Sequence, residues 1–223
     1  MAARATRSAS RAASSSDDDD SRCLLLALSH DELGVIVDGL ADPLQPVVAV
    51  ALSSTCKGLR TPLHSALFML LQRHFRAAAL CHKVALSYAA LRDATELIWA
   101  DKGLAADDMA ILGMLLSQWL PRLHTLYLNH NGFGDAGMQA LCEGLGPGAV
   151  PSLHSISLFS NKFGPAGAEA LAAALRRVAL PKLAGLNLIG NPLGNQGVAA
   201  LAAPLGKLPA LLMMDLSFCE IGD

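Results

Sequence analysis

No stretch of this 223-residue chain comes near the ~18 uninterrupted apolar residues that a membrane-spanning helix needs, although 52% of its residues are apolar. The early run from Leu24 to Leu28 is likewise too short for a secretory signal. No membrane partner is expected. Net charge is also scarce: at −2, the chain has no surplus of Lys and Arg for neutralising phosphates, which argues against nucleic acid as a partner. The five cysteines, Cys23, Cys56, Cys81, Cys142 and Cys219, are odd in number, widely spaced and free of C-x-x-C. That excludes a disulfide framework and a zinc finger, and implies a reducing, intracellular setting, cytoplasmic or nuclear.

Catalytic signatures are missing too. The chain has no phosphate-binding G-x-x-x-x-G-K-[ST], no Gly-x-Ser-x-Gly elbow and no H-E-x-x-H. His64, His74 and His82 form no i, i+4 pair, so they are expected to be surface or packed side chains. No enzymatic activity, cofactor, metal or small-molecule substrate is expected.

What the chain does have is repetition. The segments ending at Asn131, Asn161 and Asn191 superimpose without a gap at a spacing of 30. Leu123, Leu153 and Leu183 share the first apolar position, Leu126, Ile156 and Leu186 the second, and Leu128, Leu158 and Leu188 the third. A worn first unit begins near Ala94, with Leu97, Trp99 and Leu104 on the apolar positions and Lys102 where the asparagine would stand. A fifth, interrupted unit is centred on Cys219, 28 residues after Asn191. A period of this size marks stacked units that bury a core only against their neighbours.

Within a unit, Leu-x-Leu alternation places successive side chains on opposite faces of a short strand. Gly134-Asp135, Gly164-Pro165 and Gly194-Asn195 then turn the chain into a helix, with Asp135 and Asn195 expected as N-caps and Pro165 in the first turn. Met138, Leu141 and Leu145 begin the series of helical apolar faces directed at the strands. Asn131, Asn161 and Asn191 are expected to form a buried ladder that satisfies backbone groups at the bend, each worth about 1–3 kcal/mol. The formal G-x-G-x-x-G from Gly132 to Gly137 is explained by the same period, since Gly134 and Gly137 recur as Gly164, Gly167, Gly194 and Gly197. No acid near Phe159-Ser160 stands ready for a ribose. Glu96 and Asp215 lie on outward positions three repeats apart, too far for paired acid/base work.

Upstream, residues 1–22 carry Ala, Ser, three arginines and the run Asp17–Asp20, and read as a disordered tail. Residues 23–92 read as a helical cap. Ser29-His30-Asp31-Glu32 forms a capping box, Pro43 opens a second, short and apolar helix before Val47 to Leu52 leads into Ser53, and Thr61-Pro62 starts a longer helix towards Arg76. No acid lies between Pro43 and Arg92, so this stretch either steers an acidic partner or is a solvated helix face that happens to be basic.

From Ala94 onward the units resemble leucine-rich repeats of the long type found in ribonuclease inhibitor, in the Ran GTPase-activating protein and in NOD-like receptors. The resemblance implies an α/β leucine-rich-repeat solenoid over residues 93–223, about four units and a truncated fifth, with short parallel strands on the concave side and helices on the convex side. It also implies non-enzymatic protein–protein recognition by the outward strand positions: Tyr127, Asn129, His130, Ser157, Phe159, Asn187, Ile189 and Asp215. Residues 28–60 resemble an F-box through Leu28, Asp31-Glu32-Leu33, Ile36, Leu40, Pro43-Leu44, Val47 to Leu52 and Cys56-Lys57. Ser29 stands where that family usually has Pro, and Leu59 where an aromatic is common. This second resemblance implies docking of residues 25–60 on the adaptor of an SCF ubiquitin ligase. The repeats alone would also fit a GTPase-activating regulator of a small GTPase, or a piece of an NOD-like sensing receptor.

Overall fold

The computed structural model describes residues 42, 46–48, 50–51 and 57–222, with side chains from His64 onward in the helix that begins at Lys57. The tail at 1–22, the capping box at Ser29 and most of the F-box-like stretch lie outside the described residues. Two compact units divide the chain, Met1–Phe75 and Arg76–Asp223. In the first, the Val50 N–H donates to the Pro46 carbonyl at 3.0 Å, one helical turn inside the expected short apolar helix.

Helix α1 spans Lys57–Val84. It starts before Thr61-Pro62 and continues past Arg76, a correction to both expected ends. The extension follows from Ala77-Ala78-Ala79, the best helix former three times over, and from an apolar face kept at i, i+3, i+4 and i+7 by Ala77, Leu80, Cys81 and Val84, all buried. The helix closes where Ala85 turns left-handed (φ 57) and the Leu86 N–H reaches back to the Cys81 carbonyl at 2.9 Å. The short helix α2, Tyr88–Arg92, follows, its first turn capped by Ser87, whose hydroxyl accepts from the Ala90 N–H at 3.2 Å.

Five strand units then stack. Strands β1 (Glu96–Ile98), β2 (Thr125–Tyr127), β3 (Ser155–Ser157), β4 (Gly185–Asn187) and β5 (Met213–Asp215) form one parallel sheet in chain order. Between them run α3 (Ala106–Gln118), α4 (Gly134–Glu143), α5 (Pro165–Arg176) and α6 (Gly194–Leu205). The register pairs Leu97, Leu126, Ile156, Leu186 and Met214, the positions that the repeat assigned to one another. Strands are spaced ~4.8 Å apart, whereas packed helices need ~8–10 Å, so the sheet lies on the inner side of the curve.

The core lies between these layers. Trp99, Leu128, Leu158 and Leu188 form a second buried row, and Leu104, Phe133, Phe163 and Leu193 a third, with the rings of Phe133 and Phe163 parallel and 6.4 Å apart. Each fully buried leucine contributes about 1.5–3 kcal/mol, which a neighbouring unit must supply by covering it. Gly137, Gly167 and Gly197 recur because a Cβ there would collide with or crowd the side chain four residues earlier, Phe133, Phe163 or Leu193.

A tighter approach joins α3 to α4. A Cβ on Gly113 would strike the Leu141 carbonyl oxygen, and one on Gly144 would come within 2.6 Å of the Gly113 backbone. Gly→Ala inside a helix ordinarily stabilises by about 1 kcal/mol. Here the sign reverses: Gly113→Ala is expected to cost about 1–3 kcal/mol through overpacking. Urea denaturation checks this, and a variant as stable as the parent would mean that the two backbones separate freely.

The asparagine ladder is present. Asn161 and Asn191 are fully buried, and Asn131 is half-buried. Asn161 donates through Nδ2 to the carbonyls of Leu128 and Leu158, both at 2.9 Å, and accepts through Oδ1 from the N–H groups of Asn131 (3.0 Å) and Gly132 (3.1 Å). Asn131 accepts from Lys102 and Leu104 in the worn first repeat, and Asn191 from Asn161. At the fifth position the Cys219 thiol donates to the Leu188 carbonyl at 3.2 Å. Sulfur is the poorer acceptor, and here the second donor of the bend is missing as well, since Pro192 stands where Gly132 and Lys162 stand in earlier units.

One expected cap is corrected. Asp135 does not cap its own helix; its carboxylate accepts from the Gly164 and Gly167 N–H groups of the next unit, both at 2.7 Å, and so caps α5. Asn195 likewise reaches forward, accepting from the Gly222 N–H at 3.0 Å. Asp135 follows a Gly134 held at φ 63 and already sits inside α4, so its side chain points along the stack and not back at its own first turn. Pro165 does take the first helical position.

Candidate protein-binding face

The outward positions of the five strands form rows across the sheet. Ile98, Tyr127, Ser157, Asn187 and Asp215 are in register. Two residues further on, the backbone ladder continues through the Leu128 N–H to the Ser157 carbonyl and the His130 N–H to the Phe159 carbonyl, both 2.9 Å. This extends the sheet to Asn129, Phe159 and Ile189. Tyr127 and Asp215 stand three strands apart, roughly 14 Å at ordinary strand spacing. One protein surface could therefore meet both.

The candidates differ in what they offer. Tyr127, Phe159, Asn187 and Ile189 are half-exposed and His130 is exposed. Ser157 is covered, at 5% exposure, its hydroxyl donating to Asn129 Oδ1 at 2.6 Å. It therefore fixes Asn129 and forms the floor of the row rather than a contact. Asn187 accepts the Ile189 N–H at 3.0 Å, and Asp215 accepts from Ser217 through both hydroxyl (2.7 Å) and backbone N–H (3.0 Å). These two bonds, the hydroxyl's first, hold the Asp215 carboxyl below its ordinary range, so that end of the row is anionic.

His130 is placed by a backbone device shared by all units. The residue before each ladder position is left-handed: Asp101, His130, Ser160, Gly190 and Phe218 have φ between 56 and 66. That turn swings the His130 ring against Phe159 in the next unit, edge to face at 4.4 Å. A Cβ on Gly190 would approach the Phe159 ring to 3.2 Å, so the ring is held from both sides. Phe159 is thus a fixed aromatic anchor.

Ile98, an outward position of the worn first repeat, joins the candidate set on its exposure. It is 63% exposed and stands beside Tyr127 in the register. The Leu97-x-Trp99 alternation of the worn repeat puts Ile98 outward, as the sequence implies.

The dinucleotide reading of Gly132 to Gly137 has no room in this geometry. The Gly134 N–H donates to the Asn161 carbonyl at 2.9 Å and the Gly137 N–H to the Phe133 carbonyl at 3.1 Å, so these amides at the start of α4 are already used. Among the described residues no helix is long and apolar enough to cross a membrane, and no group of three or more His, Cys, Asp or Glu side chains could hold a metal ion.

A sheet of short parallel strands in register, backed by helices and joined by an asparagine ladder, defines an α/β leucine-rich-repeat solenoid. Residues 121–142 and 151–172 each match the model of the leucine-rich repeat, each match covering a strand and most of the helix after it. No curated protein matches the chain. Leucine-rich repeats of this kind generally serve protein–protein recognition.

Proposed function

We propose that the protein is a non-enzymatic recognition module that holds a protein partner on its strand face, and that it serves as a substrate receptor docked on the adaptor of an SCF ubiquitin ligase through residues 25–60. The observation that carries the first part is the packed pair of His130 and Phe159, with Tyr127 and the exposed Ile98 on the same face. Pre-ordered aromatic anchors among adaptable amides are what interfaces use as hot spots. The second part rests on the F-box-like pattern from Leu28 to Arg60 and on the ribonuclease-inhibitor-like length of the repeats.

Tyr127→Ala is expected to weaken a strand-face partner by about 30-fold, roughly 2 kcal/mol, with adaptor co-purification unchanged. Deleting residues 25–60 is expected to do the opposite. Quantitative co-purification of the adaptor and of the strand-face partner with each variant reads both. An adaptor that never co-purifies, or that is retained after the deletion, ends the receptor reading. Accelerated GTP hydrolysis by a small GTPase would replace it with the activator reading.

A further inference from the structure

We propose a second binding site, away from the strand face, for a protein segment in which apolar side chains are flanked by carboxylates. It lies where α5 and α6 end and the chain runs into β4 and β5. A hollow of about 420 Å³ opens there, within the size range of ligand sites. Its apolar walls include Val178, Pro181, Pro204 and Leu208, and the cations Arg176 and Lys207 also line it. Two of those walls are prolines, with Pro204 buried in the last turn of α6, so the hollow is preformed and little freedom is lost on filling it.

Charge sets the class of occupant. Between Glu169 and Asp215 the sequence has no Asp or Glu, while Arg176, Arg177, Lys182 and Lys207 all fall in that interval. Arg177 is committed, donating to the carbonyls of Cys142 (2.8 Å) and Leu145 (3.3 Å) at the end of α4. Arg176 pairs with Glu169 at 2.5 Å, but both side chains are about half exposed, and such pairs are readily exchanged for another carboxylate. Lys207 has no acidic partner among the described residues. The hollow has no aromatic wall on which a base could stack, and it is concave where a lipid surface calls for protruding apolar groups.

Val178 is the second, independent observation. It is 56% exposed and held at φ 57, a costly conformation for a β-branched residue. The equivalent position one repeat earlier is Gly148, at φ 64. The helix end needs the left-handed turn, because the Val178 and Ala179 N–H groups bond the Leu175 and Ala174 carbonyls. Glycine would meet that need at lower cost. Valine adds an apolar wall to the hollow.

Fluorescein-labelled twelve-residue peptides test this with the full chain: one alternating Leu and Glu, one Leu and Gln, one Ser and Glu. Fluorescence anisotropy is expected to show saturable binding of the Leu/Glu peptide alone. Lys207→Glu and Val178→Gly should each weaken it about tenfold, with the melting temperature of Val178→Gly unchanged or raised. Tyr127→Ala should leave it unaffected, which separates this site from the strand face. No binding of the Leu/Glu peptide, equal binding of the Leu/Gln peptide, insensitivity to both hollow variants, or loss with Tyr127→Ala would each overturn the proposal.

Discussion

Asn161→Ala is expected to destabilise the protein by about 4 kcal/mol, the sum of several buried backbone groups left without partners at about 1–3 kcal/mol each. The structure raises the figure above the 1–3 kcal/mol expected from the sequence because the amide works in both directions at once. It takes two N–H groups from the bend of one repeat and gives to a carbonyl in each of two strands, in a site with no solvent access. Alanine removes the acceptor and the donors together and leaves no water to replace them. Asn161→Asp should fail similarly, since a carboxylate keeps the acceptors but faces the Leu128 and Leu158 carbonyls with no hydrogen to give. Asn131→Ala, half-buried and able to admit water, should cost less. A thermal melt reads the effect as a fall of about 10 °C for a chain of this size; a transition unmoved by Asn161→Ala would refute the role of the ladder.

The second large effect is in alkaline solution. Burial pushes the Cys142 thiol from 9.0 up to about 12, opposed by the nearby Arg177 charge and reinforced by Glu143. The folded chain therefore keeps its proton where the unfolded chain has released one. Below about pH 9 both states are protonated and the thiol contributes no slope. From there to about pH 12 the unfolded state binds fewer protons, and stability falls by about 1.4 kcal/mol per pH unit, towards 4 kcal/mol in all. Cys81 and Cys219 are shifted in the same direction, so the comparison must be differential. Urea titrations of the parent and of Cys142→Ala at pH 8, 9.5 and 11 should diverge steadily with pH. Parallel curves would mean that the buried thiol plays no part.

The sheet register, the worn first repeat at Lys102 and the asparagine ladder were legible because each is fixed by a period: once Leu126, Ile156 and Leu186 align, their partners follow. What is not legible in the sequence depends on groups brought together from different repeats. By local rules, which compare a residue with its neighbours three or four places away, Asp135 is the N-cap of its own helix, whereas its true partners are 29 and 32 residues on. For Ser157 alternation gives the face and not the depth: it says which way a side chain points, not that the hydroxyl is covered and bonded to Asn129. The start of α1 was misplaced by a strong local signal, Thr61-Pro62, that the continuing helix overrode. Val178 could not be read as left-handed at all: the turn is imposed by the end of α5, against the preference of the residue.

The ladder also blurs what counts as one unit. Each asparagine completes the bend of the repeat before it, while Asp135 completes the helix of the repeat after it. The instructions for folding a given repeat are therefore written partly in its neighbours' text. A thirty-residue segment excised at the sequence period would carry groups meant for others and lack groups it needs itself, whichever boundary were chosen. Shuffling, duplication or grafting of repeats in this chain should respect overlapping pairs rather than single periods. For the same reason, a change at one bend is felt first in the adjacent repeat.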